Sequence, residues 1–203
     1  MNTDWRRLRE ERPSLFKLIV AIKVARTRVG VLAVAGCMVA VYLGKHPPLE
    51  LTQPNLWIGA GLVLIAAGAA FRFAAQGLLK KKEVLATEGV YSLCRHPLYL
   101  GSILITYGFC CLFHVPAFFV VATVYFLLFY PLTIVWEELR VAERYGAAHR
   151  DYAARTPLLL PVGAFRRGEF RWSVALRKGG GLMISLLVLS LAGVEFLART
   201  VNP

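Results

Sequence analysis

The sequence predicts an all-α integral membrane protein of about five transmembrane helices, with a cytoplasmic amphipathic helix folded over their ends. Three observations carry that expectation. The 203 residues are 57% hydrophobic, with a mean hydropathy of +0.56, too apolar for an ordinary soluble domain. Five apolar runs, 29–43, 56–73, 98–113, 117–136 and 180–197, approach the roughly 20 residues that a bilayer span needs. The basic residues follow the alternation that those runs impose.

Of the 24 Lys and Arg residues, eight precede Val29, five fall between Arg72 and Arg95, and nine between Arg140 and Lys178. Only Lys45 and Arg199 lie on the other side of the five-span scheme. Basic loops stay in the cytoplasm, so the N-terminus is expected inside and the C-terminus on the opposite face of an inner or plasma membrane. A net charge of +12 would also suit nucleic acid. Here the charge tracks topology instead, and no nucleic-acid partner is expected.

One membrane domain, 1–203, accounts for the chain. Its first 28 residues mix Arg and Lys with Trp5, Leu8, Phe16, Ile19 and Ile22, a composition suited to a helix lying among lipid headgroups. The run at 29–43 is short and extends backward toward Val24. Lys80, Lys81 and Lys82 mark a cytoplasmic loop between the second and third runs. The third and fourth runs are separated only by His114, Val115 and Pro116, which predicts a tight helical hairpin. Pro131 inside the fourth run is a candidate kink.

Residues 137–154 are polar enough to leave the membrane, and Val141, Tyr145, Ala148 and Tyr152 recur on one helical face. Thr156-Pro157 should end that helix, because a residue before proline avoids the helical region. The segment is expected to fold back as a roof over the bundle. A last helix, 180–197, follows, with Glu195 either reaching the outer surface or pairing. No cleavable signal is expected from so charged a start. Cys37, Cys94, Cys110 and Cys111 form no C-x-x-C pair and neighbour no His cluster, so no metal site is expected.

The chemistry concentrates at Arg95-His96-Pro97-Leu98-Tyr99-Leu100-Gly101. Proline is favoured at the first position of a helix, and a helix start with an adjacent Arg and His suits an anion. Tyr99 stands one turn inward. Gly101 would let a flat group approach the backbone. Glu137 and Glu138, at the end of the next apolar run, bring the opposite charge to the same face. Adjacent helical residues point about 100° apart, so one can face a site while the other pairs with Arg140, Arg144 or backbone. A ligand carrying both an ammonium and a carboxylate would satisfy both groups, and S-adenosylmethionine has such a head. The alternative is that Arg95 and the two glutamates form an interhelical bridge.

The stretch from Val84 through Thr87, Gly89 and Tyr91 to the Arg95–Gly101 motif resembles the signature of the isoprenylcysteine carboxyl methyltransferase and phospholipid methyltransferase superfamily. Glu137-Glu138, Tyr145-Gly146, Tyr152, Pro157 and Pro161 are similar to its second block, so the resemblance covers residues 56–161, the methyltransferase-like core. It implies an integral membrane enzyme that takes S-adenosylmethionine from the cytosol, methylates a lipid-like or prenylated acceptor and releases S-adenosylhomocysteine. It also implies a cofactor pocket lined by Tyr91, Arg95, His96, Tyr99, Gly101, Glu137 and Glu138, with His96 and Glu138 as catalytic groups. Glu83 and His149 depart from the superfamily pattern and bear on the choice of acceptor.

Methyl transfer from a sulfonium is an in-line displacement that depends on positioning and exclusion of water. A carboxylate acceptor needs no base. An amine or thiol needs one, and His96, His149 or a glutamate are at hand. Isoprenylcysteine carboxyl O-methylation, phospholipid N-methylation and small-thiol S-methylation stay open, as does a non-enzymatic membrane adaptor. A pocket with a cytosolic and a lateral entrance is expected for a lipid acceptor.

Overall fold

In the computed structural model the described residues are 10–44, 48–49, 51–52, 55–79 and 84–201. The start of the basic arm, Lys45, the three-lysine loop and Glu83 lie outside them. Among the described residues the regular structure is helical: α1 (Pro13–Gly44), α2 (Leu56–Leu78), α3 (Val90–Leu93), α4 (Pro97–Phe113), α5 (Pro116–Tyr145), α6 (Ala147–Arg155), α7 (Trp172–Ala175) and α8 (Gly181–Val201). A π-helical turn, Leu176–Gly180, joins α7 to α8.

Three helices, Leu56–Leu78, Pro116–Tyr145 and Gly181–Arg199, are long and apolar enough to cross a membrane, and Pro97–Phe113 is a shorter apolar helix. The expected first span lies within α1. That helix runs unbroken through Arg28, where the sequence places a boundary between arm and span, because no proline interrupts it after Pro13. The outer faces are apolar, with Leu32 and Leu127 each 69% exposed. Such surface on several helices at once needs lipid to cover it, and the chain is an all-α membrane protein.

Glycine sets the tightest contact. A Cβ on Gly68 would stand 2.5 Å from the Gly101 carbonyl oxygen, and one on Gly101 2.6 Å from that of Gly68. Gly61 and Gly108 repeat the relation at 2.8 and 2.7 Å. The pairs are separated by two turns on both helices, so antiparallel α2 and α4 meet backbone to backbone at two levels. Gly101, expected at the cofactor pocket, turns its bare backbone to α2 and is not among the residues that border the cavity described below.

The α4–α5 hairpin forms as expected. His114 takes a left-handed conformation with φ 52°, its N–H donates to the Cys110 carbonyl, and Pro116 opens α5. At the same end Glu195 accepts from the Leu51 N–H at 2.8 Å and pairs with Arg199, so it ties α8 to the loop before α2.

The roof differs from the expected single helix over 137–154. Instead α5 continues to Tyr145, and the chain turns at Gly146 with φ 51° and ψ −118° before α6 begins. A positive φ is easy for glycine and ends the first helix there. Thr156 then ends α6 in an extended conformation before Pro157, as its sequence requires.

Candidate active site

His96 caps α4 and Pro97 is its first residue. The Arg95 and His96 N–H groups donate to the Pro157 and Leu158 carbonyls at 2.9 and 3.1 Å. Those two donors are therefore taken by the chain itself and fix the motif beneath the segment that follows α6. Further along, the Gly163 N–H donates to the Leu93 carbonyl and the Arg166 N–H to Ser92 Oγ. Gly89, with φ 59°, donates to the Arg166 carbonyl at 2.7 Å.

The two glutamates divide their partners. Glu138 forms an ion pair with Arg95, and its other oxygen lies 2.8 Å from His96 Nε2. His149 Nε2 reaches within 3.4 Å of the Arg95-bound oxygen. The interhelical bridge that the sequence leaves open thus forms, with Glu138 alone. Glu137 accepts from the Tyr99 hydroxyl at 2.6 Å and lies 3.9 Å from His96 Nδ1. Its side chain is 36% exposed against 20% for Glu138, so Glu137 is the carboxylate open to a ligand. Neither expected arginine takes up the second glutamate: Arg140 stacks on Trp136 at 4.6 Å.

Above this cluster α6 supplies His149 and Tyr152, both buried. The Tyr152 hydroxyl donates to the Tyr91 carbonyl at 2.6 Å and fastens the roof to α3. Burial pushes the Tyr91 and Tyr152 phenols well above their ordinary value, so both stay neutral donors. Burial likewise pushes the Cys94 thiol up to about 11. A fully buried, protonated thiol is a packing group, as expected, and no nucleophile.

A cavity of about 1230 Å³ lies below, bordered by Tyr91, Arg95, His96, Tyr99, Glu137 and Glu138. Small-molecule sites usually occupy roughly 300–1,000 Å³, so there is room here for a cofactor and part of a second molecule. Among the described residues, three buried polar atoms near it have no hydrogen-bond partner: Arg95 Nε, His149 Nε2 and Gln76 Oε1. A second, apolar cavity of about 570 Å³ lies among α1, α4, α5 and α8. Gly30, Val34, Tyr125 and Tyr130 border both cavities, so the two are adjacent.

Six of the seven expected pocket residues therefore converge, and Gly101 does not. Among the polar groups of the same cavity that sequence reasoning missed are Arg26, Arg72 and Gln76. Arg72 carried a usable signal, since a cation inside an apolar run is seldom there for packing, and Gln76 follows one turn later on the same helix. Arg26 carried none, because it stands among many basic residues of the arm. Among the described residues, no group of three or more His, Cys, Asp or Glu side chains is placed to hold a metal ion.

Residues 56–148 match the family model described as phospholipid methyltransferase. Two curated relatives share part of the chain. The cobalt-zinc-cadmium resistance protein CzcN of Cupriavidus metallidurans is 37% identical over 95 residues, 47% of this chain and 44% of the relative. The nickel-cobalt-cadmium resistance protein NccN of Alcaligenes xylosoxydans xylosoxydans is 32% identical over 95 residues, again 47% and 44%. The matched stretch spans less than half the length of these relatives. No solved structure matches the chain. Residues 56–148, just under half of the chain, hold all seven residues expected at the site and carry the likeness to the phospholipid methyltransferase family.

Proposed function

We propose that this protein is an S-adenosylmethionine-dependent methyltransferase that works at the cytoplasmic membrane face on a lipid-like acceptor, in the manner of isoprenylcysteine carboxyl O-methylation. One observation carries the reading: a polar cavity large enough for a cofactor lies against an apolar cavity inside the helix bundle, with Gly30, Val34, Tyr125 and Tyr130 in the wall of both. A soluble small thiol would leave the second cavity without a role. A membrane adaptor would need neither.

The residues present suit the cofactor. Glu137, half open and oriented by Tyr99, matches an ammonium. Arg95 Nε, buried and unpartnered, offers a donor to a carboxylate. Gln76 Oε1, buried and unpartnered, can accept from an adenine amino group. When bound, the cofactor supplies a methyl group activated on a sulfonium. The chain contributes position and dryness. Glu138 locks Arg95 and His96 in place, the Tyr152–Tyr91 bond holds the roof, and the apolar cavity keeps a tail aligned. With both oxygens engaged, Glu138 is a positioning residue. His96, whose Nε2 meets Glu138 and whose Nδ1 faces Glu137, is the group available to take a proton from an amine or thiol. The charge distribution along the sequence favours a cytoplasmic N-terminus and an inner or plasma membrane.

Calorimetry on the detergent-purified chain with S-adenosylmethionine, S-adenosylhomocysteine and NADPH tests the reading. Saturable binding of the two adenosyl compounds and not NADPH is expected. A folded sample that binds neither adenosyl compound would favour the adaptor.

A further inference from the structure

Between α6 and α7 the chain runs as an irregular strap, 157–171. One edge of it is bonded to the site. The Pro157 and Leu158 carbonyls accept from the Arg95 and His96 N–H groups, the Gly163 N–H donates to the Leu93 carbonyl, and the Arg166 carbonyl accepts from the Gly89 N–H. Its far end is bonded to α2. The Arg171 N–H donates to the Gly77 carbonyl at 3.1 Å and Arg171 Nη2 to the Leu79 carbonyl at 3.0 Å.

The other edge is apolar and uncovered. Leu160, Val162 and Phe165, with Trp172 just beyond the strap, are between 66% and 75% exposed. So much apolar surface on one short segment marks a contact face. Its level in the molecule follows from α2. The Trp172 ring lies 5.7 Å from that of Phe73, and the Phe170 ring lies 5.8 Å from Phe73 and 5.0 Å from Trp172. Phe73 stands five residues, about 7.5 Å, inside the end of a helix long and apolar enough to cross a membrane. A second such helix, α8, begins nine residues after Trp172. Trp172 thus sits where both helices leave the bilayer, the level at which tryptophan is enriched.

Charge selects the kind of lipid. From 157 to 178 the sequence carries five basic residues and one acid, Glu169. Arg166, Arg167 and Arg177 are exposed. Apolar side chains interleaved with arginines at the rim of a bilayer suit an anionic headgroup layer, where the apolar groups reach the acyl border and each basic group adds attraction. An acidic soluble protein would match the charge, but it would not reach the level of Phe73.

We propose that this strap docks on the anionic headgroups of the cytoplasmic leaflet, and that docking holds it down on the Arg95 and His96 backbone. Lifting the strap would free those two N–H donors, so a surface outside the cavity governs the order of the motif inside it. Neither half depends on which cofactor the cavity holds.

The test places the full chain in nanodiscs of phosphatidylcholine alone or in an equimolar mixture with phosphatidylglycerol. In the mixed discs one lipid or the other carries brominated chains. The emission lost in Trp172→Phe isolates the signal of Trp172. Brominated phosphatidylglycerol should quench that signal in preference to brominated phosphatidylcholine, by about fivefold in relative affinity, the scale of one basic residue at an anionic surface. The preference should fade at about 1 M salt, where charges are screened within about 3 Å. The double variant Arg167→Gln/Arg177→Gln should lose it, and Arg167→Lys/Arg177→Lys should keep it. Hydrogen exchange in peptides covering Arg95 and His96 reads the second half. It should be at least about threefold slower in mixed discs than in phosphatidylcholine alone, and the double glutamine variant should abolish the difference. Equal quenching by the two lipids overturns docking on anionic headgroups. Quenching by neither means a surface that faces water or another protein, and overturns it as well. Charge-selective quenching with exchange indifferent to the lipid supports the docking surface and overturns its hold on Arg95 and His96.

Discussion

The Tyr99 hydroxyl and the Glu137 carboxylate meet across the α4–α5 interface at 2.6 Å, while the Tyr99 oxygen also accepts from Arg26. Three helices thus converge on one phenol. Glu138, next to Glu137 in sequence, instead pairs with Arg95 and lies beside His96 and His149. The two acids should therefore fail differently when changed. Glu137→Gln keeps a hydrogen-bond partner for Tyr99 and loses only the charge open to the cavity. Its melting temperature in detergent should stay close to the parent's, while S-adenosylhomocysteine affinity should fall about tenfold, the scale of a lost charged hydrogen bond. Glu138→Gln leaves Arg95 largely buried and unpaired, which costs roughly 3 kcal/mol. It should lower the melting temperature clearly, and a variant as stable as the parent would remove Glu138 from its organising role.

Glycine contacts between α2 and α4 give a sharper comparison. Alanine at Gly68 would place a methyl against the Gly101 carbonyl at 2.5 Å, whereas alanine at Gly59 on the same helix meets nothing within 4 Å. Replacing a helical glycine by alanine gains about 1 kcal/mol of propensity where space allows. Gly59→Ala should be neutral or stabilising and Gly68→Ala destabilising, as read from thermal unfolding in detergent. Equal effects would mean that the two helices can separate without loss.

The difference between what the sequence reveals and what it hides follows from range. Pro97 as a helix start, the His114–Pro116 hairpin and the Thr156–Pro157 stop depend on neighbouring residues, and each forms as its local chemistry requires. The Glu137-Glu138 pair is legible because acids at the end of an apolar run need a reason. Gly101 is harder to read, because a bare backbone invites a ligand and a helix equally, and its approach to Gly68, 33 positions earlier in the chain, has no local signal. Arg26 reaches Tyr99 from 73 residues away, through a pairing of α1 with α5 that no spacing encodes. Gly146 was read as part of a continuous helix, although its freedom at positive φ is what divides the roof.

That freedom gives the next prediction. Gly146 has open space around it but holds φ 51° and ψ −118°. Any other residue is strained there by about 1–3 kcal/mol. Gly146→Ala should pull α6 from its seat and displace His149 and Tyr152 together. Cofactor affinity should drop and proteolysis near residue 146 should rise. A variant with parental affinity and protease resistance would show that the roof does not depend on this turn.

Cys94 gives a pH dependence with a defined sign. The thiol's ordinary value of 9.0 is pushed up to about 11 by burial in the fold. Between these values the unfolded chain has released the proton and the folded chain has kept it, so stability falls as pH rises, by about 1.4 kcal/mol per unit at most. Below pH 9 both states are protonated and the group contributes no slope. The melting temperature of Cys94→Ala should therefore fall less steeply than the parent's between pH 9 and 10.5, and thiol reagents at pH 8 should label position 94 only after unfolding. Parallel pH profiles with rapid labelling of the native chain would contradict this.

The junction between the two cavities offers the most direct control over the acceptor. Gly30 borders both, and a Cβ there would already stand 2.9 Å from the Tyr125 hydroxyl, which itself donates to the Arg26 carbonyl at 3.1 Å. Gly30→Leu would fill the space that both cavities border, between α1 and α5, at a distance from Glu137, Glu138 and His96. Adenosyl binding should persist within about threefold. Methyl transfer to a long-tailed acceptor should fall by at least about tenfold, and a short-tailed analogue should be spared, because its tail need not pass Tyr125. The comparison of tails matters more than the loss itself, since a general distortion of α1 would reduce both substrates alike. If long and short tails fall together, Gly30 serves helix packing and the apolar cavity is no part of the path to the methyl group.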